Sequence, residues 1–273
     1  MSGGSAGFQE GWVEADGFRV RYMAAGEGPA LVHLHGAGGL RLTRAHDLLC
    51  QSYRVIAFEM PGFGSGLGPG LGMEENRRME TQAGLAAVMA GAVDELNLSR
   101  VHLMGTSFGG KTALLLAIQR PELVMSLVLE APAAIRPEGS QPVSGTPGEI
   151  ARRLFAHPER MPMMPAEDPA LAARRLDFVR RLRGPGRDPA LEASLRTLNM
   201  PALVLFGTCD AVVPPDMGRI YPALMPNAHL VFVYDAGHAI AAERPEAFAE
   251  VVSDFLERGE AFVISRGRTV ILP

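Results

Sequence analysis

Cysteine is nearly absent from this chain: Cys50 and Cys209 are the only two in 273 residues. Two thiols so far apart make no disulfide framework, so stability must come from a hydrophobic core, and a reducing, cytoplasmic setting is expected. Lysine is scarcer still. Lys111 stands alone, basic character rests on arginine, and the net charge is −4. Without clustered cations there is no electrostatic footprint for nucleic acid. No apolar run approaches the roughly 20 residues that span a bilayer, so no membrane partner is expected. Residues 1–7 are Ser/Gly-rich and lack the basic and apolar regions of a secretory signal. There is no His-x-x-x-His and no clustered Cys/His spacing, so no metal set emerges and nothing calls for a cofactor. What the chain does have is apolar surface: hydrophobic residues make up 47% and charged residues 21%, which excludes general disorder. This length suits one large domain, or a core with an insertion.

Asp16-Gly17 sits between the alternating runs Trp12 to Ala15 and Phe18 to Tyr22, a hairpin signal that predicts two opening antiparallel strands. The pattern then changes. Leu31 to His35, Val55 to Phe58, Val101 to Met104, Leu127 to Leu129, Leu203 to Phe206 and Leu230 to Val233 are short unbroken apolar runs, as strands buried on both faces require. Helical patterns fall at Leu40 to Cys50, Met79 to Leu98, Phe108 to Arg120, Met217 to Met225 and Pro245 to Arg258. Strand and helix in alternation predict an α/β fold: a mostly parallel sheet with an N-terminal antiparallel hairpin and helices on both faces. The rhythm breaks once, between Glu130 and Ala202, a gap far longer than the dozen or so residues of a crossover. Residues 132–197 are therefore expected to form an inserted helical lid on a core of 1–131 and 198–259, with 260–273 as a C-terminal extension. The insertion holds 11 arginines against 8 acidic residues, net +3, while the rest of the chain is acidic. Pro147 to Phe155 and Pro169 to Leu182 read as its helices; Met161 to Pro165, with two prolines, cannot be a regular helix.

Three segments carry chemistry. Gly105-Thr106-Ser107-Phe108-Gly109 lies where an apolar strand meets a helix, the context of a nucleophile elbow. Turning from strand to helix in one residue strains Ser107, and its flanking glycines avoid a clash as the two elements close. The Phe108 amide then points from a helix N-terminus toward the same space as the serine hydroxyl. Further on, one strand ends at Asp210 ahead of Pro214, and another ends at Gly237-His238. Serine, aspartate, histidine is the chain order of one convergent triad design, and open α/β sheets place their sites at strand C-termini.

These residues resemble the α/β-hydrolase fold superfamily over nearly the whole chain. The elbow matches 105–109, the oxyanion loop resembles His35-Gly36-Ala37-Gly38-Gly39, the acid loop resembles 207–214, and Gly237-His238 matches the histidine ending. Residues 59–65 resemble the family's Asp-x-Pro-Gly-x-Gly-x-Ser segment, with Glu59 in place of Asp, a difference taken as structural. The resemblance implies Ser107 as nucleophile, His238 as general base and acid, Asp210 as the orienting acid, and the Ala37 and Phe108 amides as oxyanion hole. Glu130, at a strand end, is the rival acid, and motif context favours Asp210. Among the other histidines, His33 and His35 read as structural, while His46, His102, His157 and His229 have no partner spacing. Cys209 reads as a small turn residue, and Lys111 as solvated or at the core edge. Met161, Met163 and Met164 are expected to line an apolar substrate pocket.

A lidded serine triad in a mildly acidic chain implies hydrolysis of a small, largely apolar ester through an acyl-enzyme, with a small molecule as partner. Two alternatives stand beside it. One is hydrolytic carbon–carbon cleavage of a ring-fission product: the 35–39 loop faintly resembles that of such enzymes, although their Gly-Pro-Gly ending is missing and Ala239 stands where they often have Trp. The other is a lyase, perhydrolase or ligand-binding member of the fold. The apolar tail Phe262 to Pro273 raises a possible homodimer by edge pairing, and an anionic substrate beneath the arginine-rich insertion is a further possibility.

Overall fold

Asp16 and Gly17 both take positive φ, 49° and 74°, as a two-residue hairpin turn of type I′ demands. They join β1 (Gln9–Ala15) to β2 (Phe18–Ala25). The computed structural model describes residues 7–64, 77–162 and 168–259; the tail 260–273, with its proposed edge pairing, lies outside them. β3 (Ala30–Leu34), β4 (Arg54–Glu59), β5 (Val101–Thr106), β6 (Val124–Glu130), β7 (Ala202–Gly207) and β8 (Ala228–Val233) complete the sheet. Among the described residues it has eight strands in the order β1-β2-β4-β3-β5-β6-β7-β8. Only the β1–β2 and β2–β4 pairs are antiparallel.

Strand residues alternate between two cores. Val32, Leu34 and Ile56 join one apolar cluster, while Leu31 and Val55 join another on the opposite face. The first is covered by α2 (Gln82–Glu95) and α3 (Phe108–Gln119), the second by α1 (Arg44–Leu49) and α8 (Pro245–Arg258). Burial on both faces explains the unbroken apolar runs; every residue of β7 is buried. Residues 217–225 do not form one helix. A 3-10 turn (Pro215–Arg219) leads into the short α7 (Ile220–Leu224), which contains Pro222, a residue with no N–H to donate.

Between β6 and β7 lie α4 (Pro147–Leu154), a 3-10 turn (Pro158–Arg160), α5 (Pro169–Leu182) and α6 (Pro189–Leu195). Each of these three helices begins with proline after a capping residue, Thr146, Asp168 or Asp188, whose side chain accepts main-chain N–H groups. Helix α6 was not anticipated from sequence, although Asp188-Pro189 repeats the Asp168-Pro169 start. Phe178, Val179, Leu182, Leu191 and Leu195 anchor the segment in the larger core. At its entry the buried Tyr221 hydroxyl donates to Pro132 O at 3.0 Å and accepts from Ile135 N at 3.2 Å.

Candidate active site

β5 delivers Ser107 into the start of α3 with φ 53° and ψ −110°, a left-handed strain that a serine tolerates only where its surroundings impose it. The elbow glycines show what imposes it. A Cβ on Gly105 would come 2.6 Å from Gly109 O, and one on Gly109 would overlap the carbonyl oxygens of Leu34 and His35. Ser107 N donates to Glu130 O at 2.8 Å, and Ser107 O accepts from Gly110 N and Ala133 N. The loop after β3 lies against the serine: a Cβ on Gly36, the residue before Ala37, would sit 3.5 Å from Ser107 Cβ. His35 shapes that loop. Met60 N–H donates to its Nε2 at 3.1 Å, so its proton lies on Nδ1 and is donated to Gly36 O at 2.7 Å.

The structure brings Asp210 and His238 together. Asp210 Oδ2 lies 2.8 Å from His238 Nδ1, and both residues are buried. A carboxylate only accepts, so the neutral imidazole carries its proton on Nδ1 and presents the Nε2 lone pair. Asp210 Oδ1 meanwhile accepts from Val212 N at 2.7 Å and Val213 N at 2.9 Å. One oxygen of Asp210 thus faces the imidazole while the other caps the turn. Glu130 does not reach His238; its carboxylate binds Thr106 and the Ala241 N–H.

Several residues have surroundings the sequence did not disclose. His46, without an expected partner, lies 2.9 Å from His33. His157 pairs with Asp235 at 2.7 Å, and His102 with Ser126 at 2.8 Å. Lys111 is buried rather than solvated: Nζ donates to Arg183 O at the end of α5, and burial beside Arg136 and Arg183 lowers its pKa to about 8. Cys209 is exposed. Glu59 pairs with Arg21 at 3.6 Å, as a structural acid would.

The insertion reaches the site through residues that sequence reasoning missed. Phe63 stacks edge-on against His35 and Phe178, and tilts against Phe108. Arg175 of α5 is buried and donates to Phe63 O at 2.7 Å and Gly38 O at 3.2 Å, putting a guanidinium beside the 35–39 loop. Their signal is weak in one dimension: Arg175 and Phe178 are an i, i+3 pair on an amphipathic helix. On the other side, the Glu243 carboxylate accepts from Ala156 N, His157 N and Gly237 N, and Ala239 N donates to Leu154 O at 3.1 Å. Met161 lines a cavity of about 210 Å³ with His157, Arg160, Glu243 and Arg244, a lining that excludes Ser107. Met163 and Met164 lie outside the described residues. Among the described residues no group of three or more His, Cys, Asp or Glu could hold a metal ion, and no helix is long and apolar enough to cross a membrane.

Comparison with known proteins gives this geometry a setting. Residues 31–251 match the alpha/beta hydrolase family. A 2-hydroxy-6-oxononadienedioate/2-hydroxy-6-oxononatrienedioate hydrolase of Burkholderia vietnamiensis is 30% identical, over 88% of this chain and 91% of the relative. A 2-hydroxymuconate semialdehyde hydrolase of Pseudomonas putida is 31% identical, over 91% of this chain and 94% of the relative. Among solved structures, the 2-hydroxy-6-oxo-6-phenylhexa-2,4-dienoate hydrolase of Rhodococcus sp. strain RHA1 has a TM-score of 0.76 at 20% identity, covering 92% of this chain and 99% of that one, a likeness of fold.

Proposed function

The chain belongs to the alpha/beta hydrolase family, and from that premise we propose that it hydrolyses a carbon–carbon bond in a 2-hydroxy-6-oxo-dienoate, the product of aromatic ring fission. The observation that carries this reading is the near full-length similarity, at 30% and 31% identity, to two hydrolases of such compounds. It supports the carbon–carbon alternative over the ester hydrolysis that the sequence alone suggested, and both use the same nucleophile.

The chemistry follows from the residues. In the substrate an enol at C2 is conjugated through the diene to the C6 ketone. Moving the enol proton to C5 leaves a C5–C6 bond whose electron pair can delocalise into the C2 carbonyl. Ser107 Oγ attacks C6 as His238 Nε2 takes its proton, with Asp210 holding the ring and offsetting the imidazolium charge. The oxyanion on C6 is met by the Ala37 and Phe108 amides, donors of a kind worth about 3 kcal/mol each. Collapse breaks C5–C6, the electron pair passes to the dienolate, and the His238 proton completes that product. Water, deprotonated by His238, then frees the acyl group from Ser107 as a carboxylic acid. The insertion acts as the lid over this centre. Arg175, beside the oxyanion loop, suits the carboxylate end of the substrate. The two unbridged cysteines suit a cytoplasmic setting.

The test uses coloured dienoates alongside a graded series of aryl esters, with fluorophosphonate labelling of wild type and Ser107→Ala. Dienoate bleaching faster than ester turnover, with labelling confined to wild type, is the expected result. Ester turnover with untouched dienoates returns the assignment to an esterase; an unlabelled wild type removes the nucleophile altogether.

A further inference from the structure

Glu130 is buried, and all of its acceptor groups face the catalytic elements. Its carbonyl takes the Ser107 N–H at 2.8 Å. Oε2 takes the Thr106 hydroxyl at 2.7 Å, and Oε1 takes the Ala241 N–H, three residues past His238, at 2.7 Å. Thr106 and Glu130 meet because the parallel register of β5 and β6 pairs them. One residue thus binds the nucleophile's amide, the side chain before it, and the turn that carries the histidine.

Behind Thr106 runs a chain of buried side chains. His33 Nε2 is 3.0 Å from Thr106 Oγ1, His33 Nδ1 is 2.9 Å from His46 Nε2, and Thr43 N and Thr43 Oγ1 are each 3.0 Å from His46 Nδ1. The Thr43 main-chain link fixes the sense of all the others. A main-chain N–H can only donate, so His46 Nδ1 accepts and its proton is on Nε2. That proton goes to His33 Nδ1, so the His33 proton is on Nε2 and goes to Thr106, whose own proton goes to Glu130. A protonated Glu130 donating to Thr106 turns every link round and sets a His46 Nδ1–H against the Thr43 N–H, with the Thr43 hydroxyl oxygen as its acceptor; the chain as drawn keeps the Thr43 N–H bond and leaves the hydroxyl free to donate to the same nitrogen. Both histidines are neutral, because burial lowers His33 well below its usual pKa and His46 to about 4. Burial dominates and leaves the pKa of Glu130 raised, with the Ala241 and Thr106 hydrogen bonds and the nearby His238 pulling it only part of the way back.

We propose that Glu130 is a positioning residue of the active centre: a second, ionised carboxylate that ties the Ser107 strand to the His238 turn and is held charged by a one-way donor chain running from Thr43 through His46, His33 and Thr106. It acts on His238 through the main chain and through space, whereas Asp210 acts by contact. Only the kinetic part of this inference rests on the proposed reaction; the direction of the donor chain does not.

Imidazole nitrogen NMR of the intact protein at pH 7, with His33→Gln and His46→Gln used to assign signals, reads the direction. The expected result is the Nε2–H tautomer at both histidines. In Glu130→Gln the amide brings a donor into a site of two donors, so the His33 or His46 tautomer changes. Fluorophosphonate labelling of Ser107 in that variant slows about 10- to 100-fold, the scale of a lost charge-assisted hydrogen bond, and KM stays within about twofold. Nδ1–H at either histidine in wild type overturns the proposal, as does Glu130→Gln with unchanged tautomers and wild-type labelling. If that variant does not fold, the wild-type spectrum still decides. The expected tautomers in a wild type that does not label support the donor chain and remove the reaction instead.

Discussion

Helices α3 and α4 solve the same local problem by opposite means. Behind Ser107, α3 buries nine of its twelve residues and has no side-chain cap; strand closure and burial hold it. In the insertion, α4 buries none of its eight residues and is held by a reciprocal Thr146–Glu149 capping box, Pro147, and arginines in its last turn. On the proposed reading, the reacting groups stand on elements fixed by the core, while α4, over the site, is fixed by its caps. Changes in the first should cost turnover or folding; changes in the second should alter selectivity at little cost in stability.

The largest expected effect is on the core side. Asp210→Asn keeps an oxygen for Val212 and Val213 but sets an amide against His238 Nδ1–H, favouring the wrong tautomer. Steady-state kinetics should show kcat reduced about 10⁴-fold with KM little changed. A loss under tenfold would mean that the pair does not orient the base.

Next comes Gly109→Ala, whose methyl group meets two main-chain oxygens with no room to yield. A loss of about 3 kcal/mol in chemical denaturation is expected, the upper range for overpacking. A wild-type midpoint would show that strand and helix are less tightly closed than the structure has them.

Acid should weaken the same region. Burial lowers His35 and His46 to about 4, against about 6.5 for a solvated histidine. Between those values the unfolded chain binds protons that the folded chain refuses. Their contribution is therefore complete above about pH 6.5 and is lost as pH falls toward 4, by roughly 1.4 kcal/mol per unit for each ring. Urea midpoints at pH 7, 6 and 5 check the slope, and His46→Gln should make it shallower.

On the insertion side, Arg175→Gln should raise KM for carboxylate-bearing dienoates about tenfold, the scale of one charge-assisted hydrogen bond, and leave neutral esters unaffected. An equal rise for both would assign Arg175 to holding the 35–39 loop instead. The smallest effect belongs to Glu149→Ala, which removes half of the capping box at an exposed helix start. About 1 kcal/mol or less is expected in thermal melts, with unchanged kcat. Lost turnover would couple α4 to the chemistry.

The core was legible because each strand announces itself locally. Leu203 to Phe206 is apolar throughout since both faces are covered, and Asp16-Gly17 needs no distant partner to turn the chain. The candidate site was legible for a related reason: Ser107, Asp210 and His238 each follow a strand end with small residues that leave a local signature. Contacts set by register were not legible. Thr106 meets Glu130 and His33 meets His46 only once β3, β5 and β6 are laid side by side and α1 folds across them. Arg175 and Phe178 face the site through tertiary packing, which a helical pattern reports only as a buried stripe.

The stitching of Leu154, Ala156 and His157 to Gly237, Ala239 and Glu243 has a practical consequence. A Cβ on Gly237 would run into the backbone of residues 154–156, so the junction leaves no slack. The insertion cannot lift as a free flap from that edge without dragging the His238 turn along with it. On the proposed reading, opening would fall to the opposite flank, where α5 meets the 61–63 loop through Phe178 and Arg175 rather than through paired backbones. Chimeras that exchange insertions between relatives should accordingly splice downstream of His157, keeping the seam and replacing only what lies beyond it.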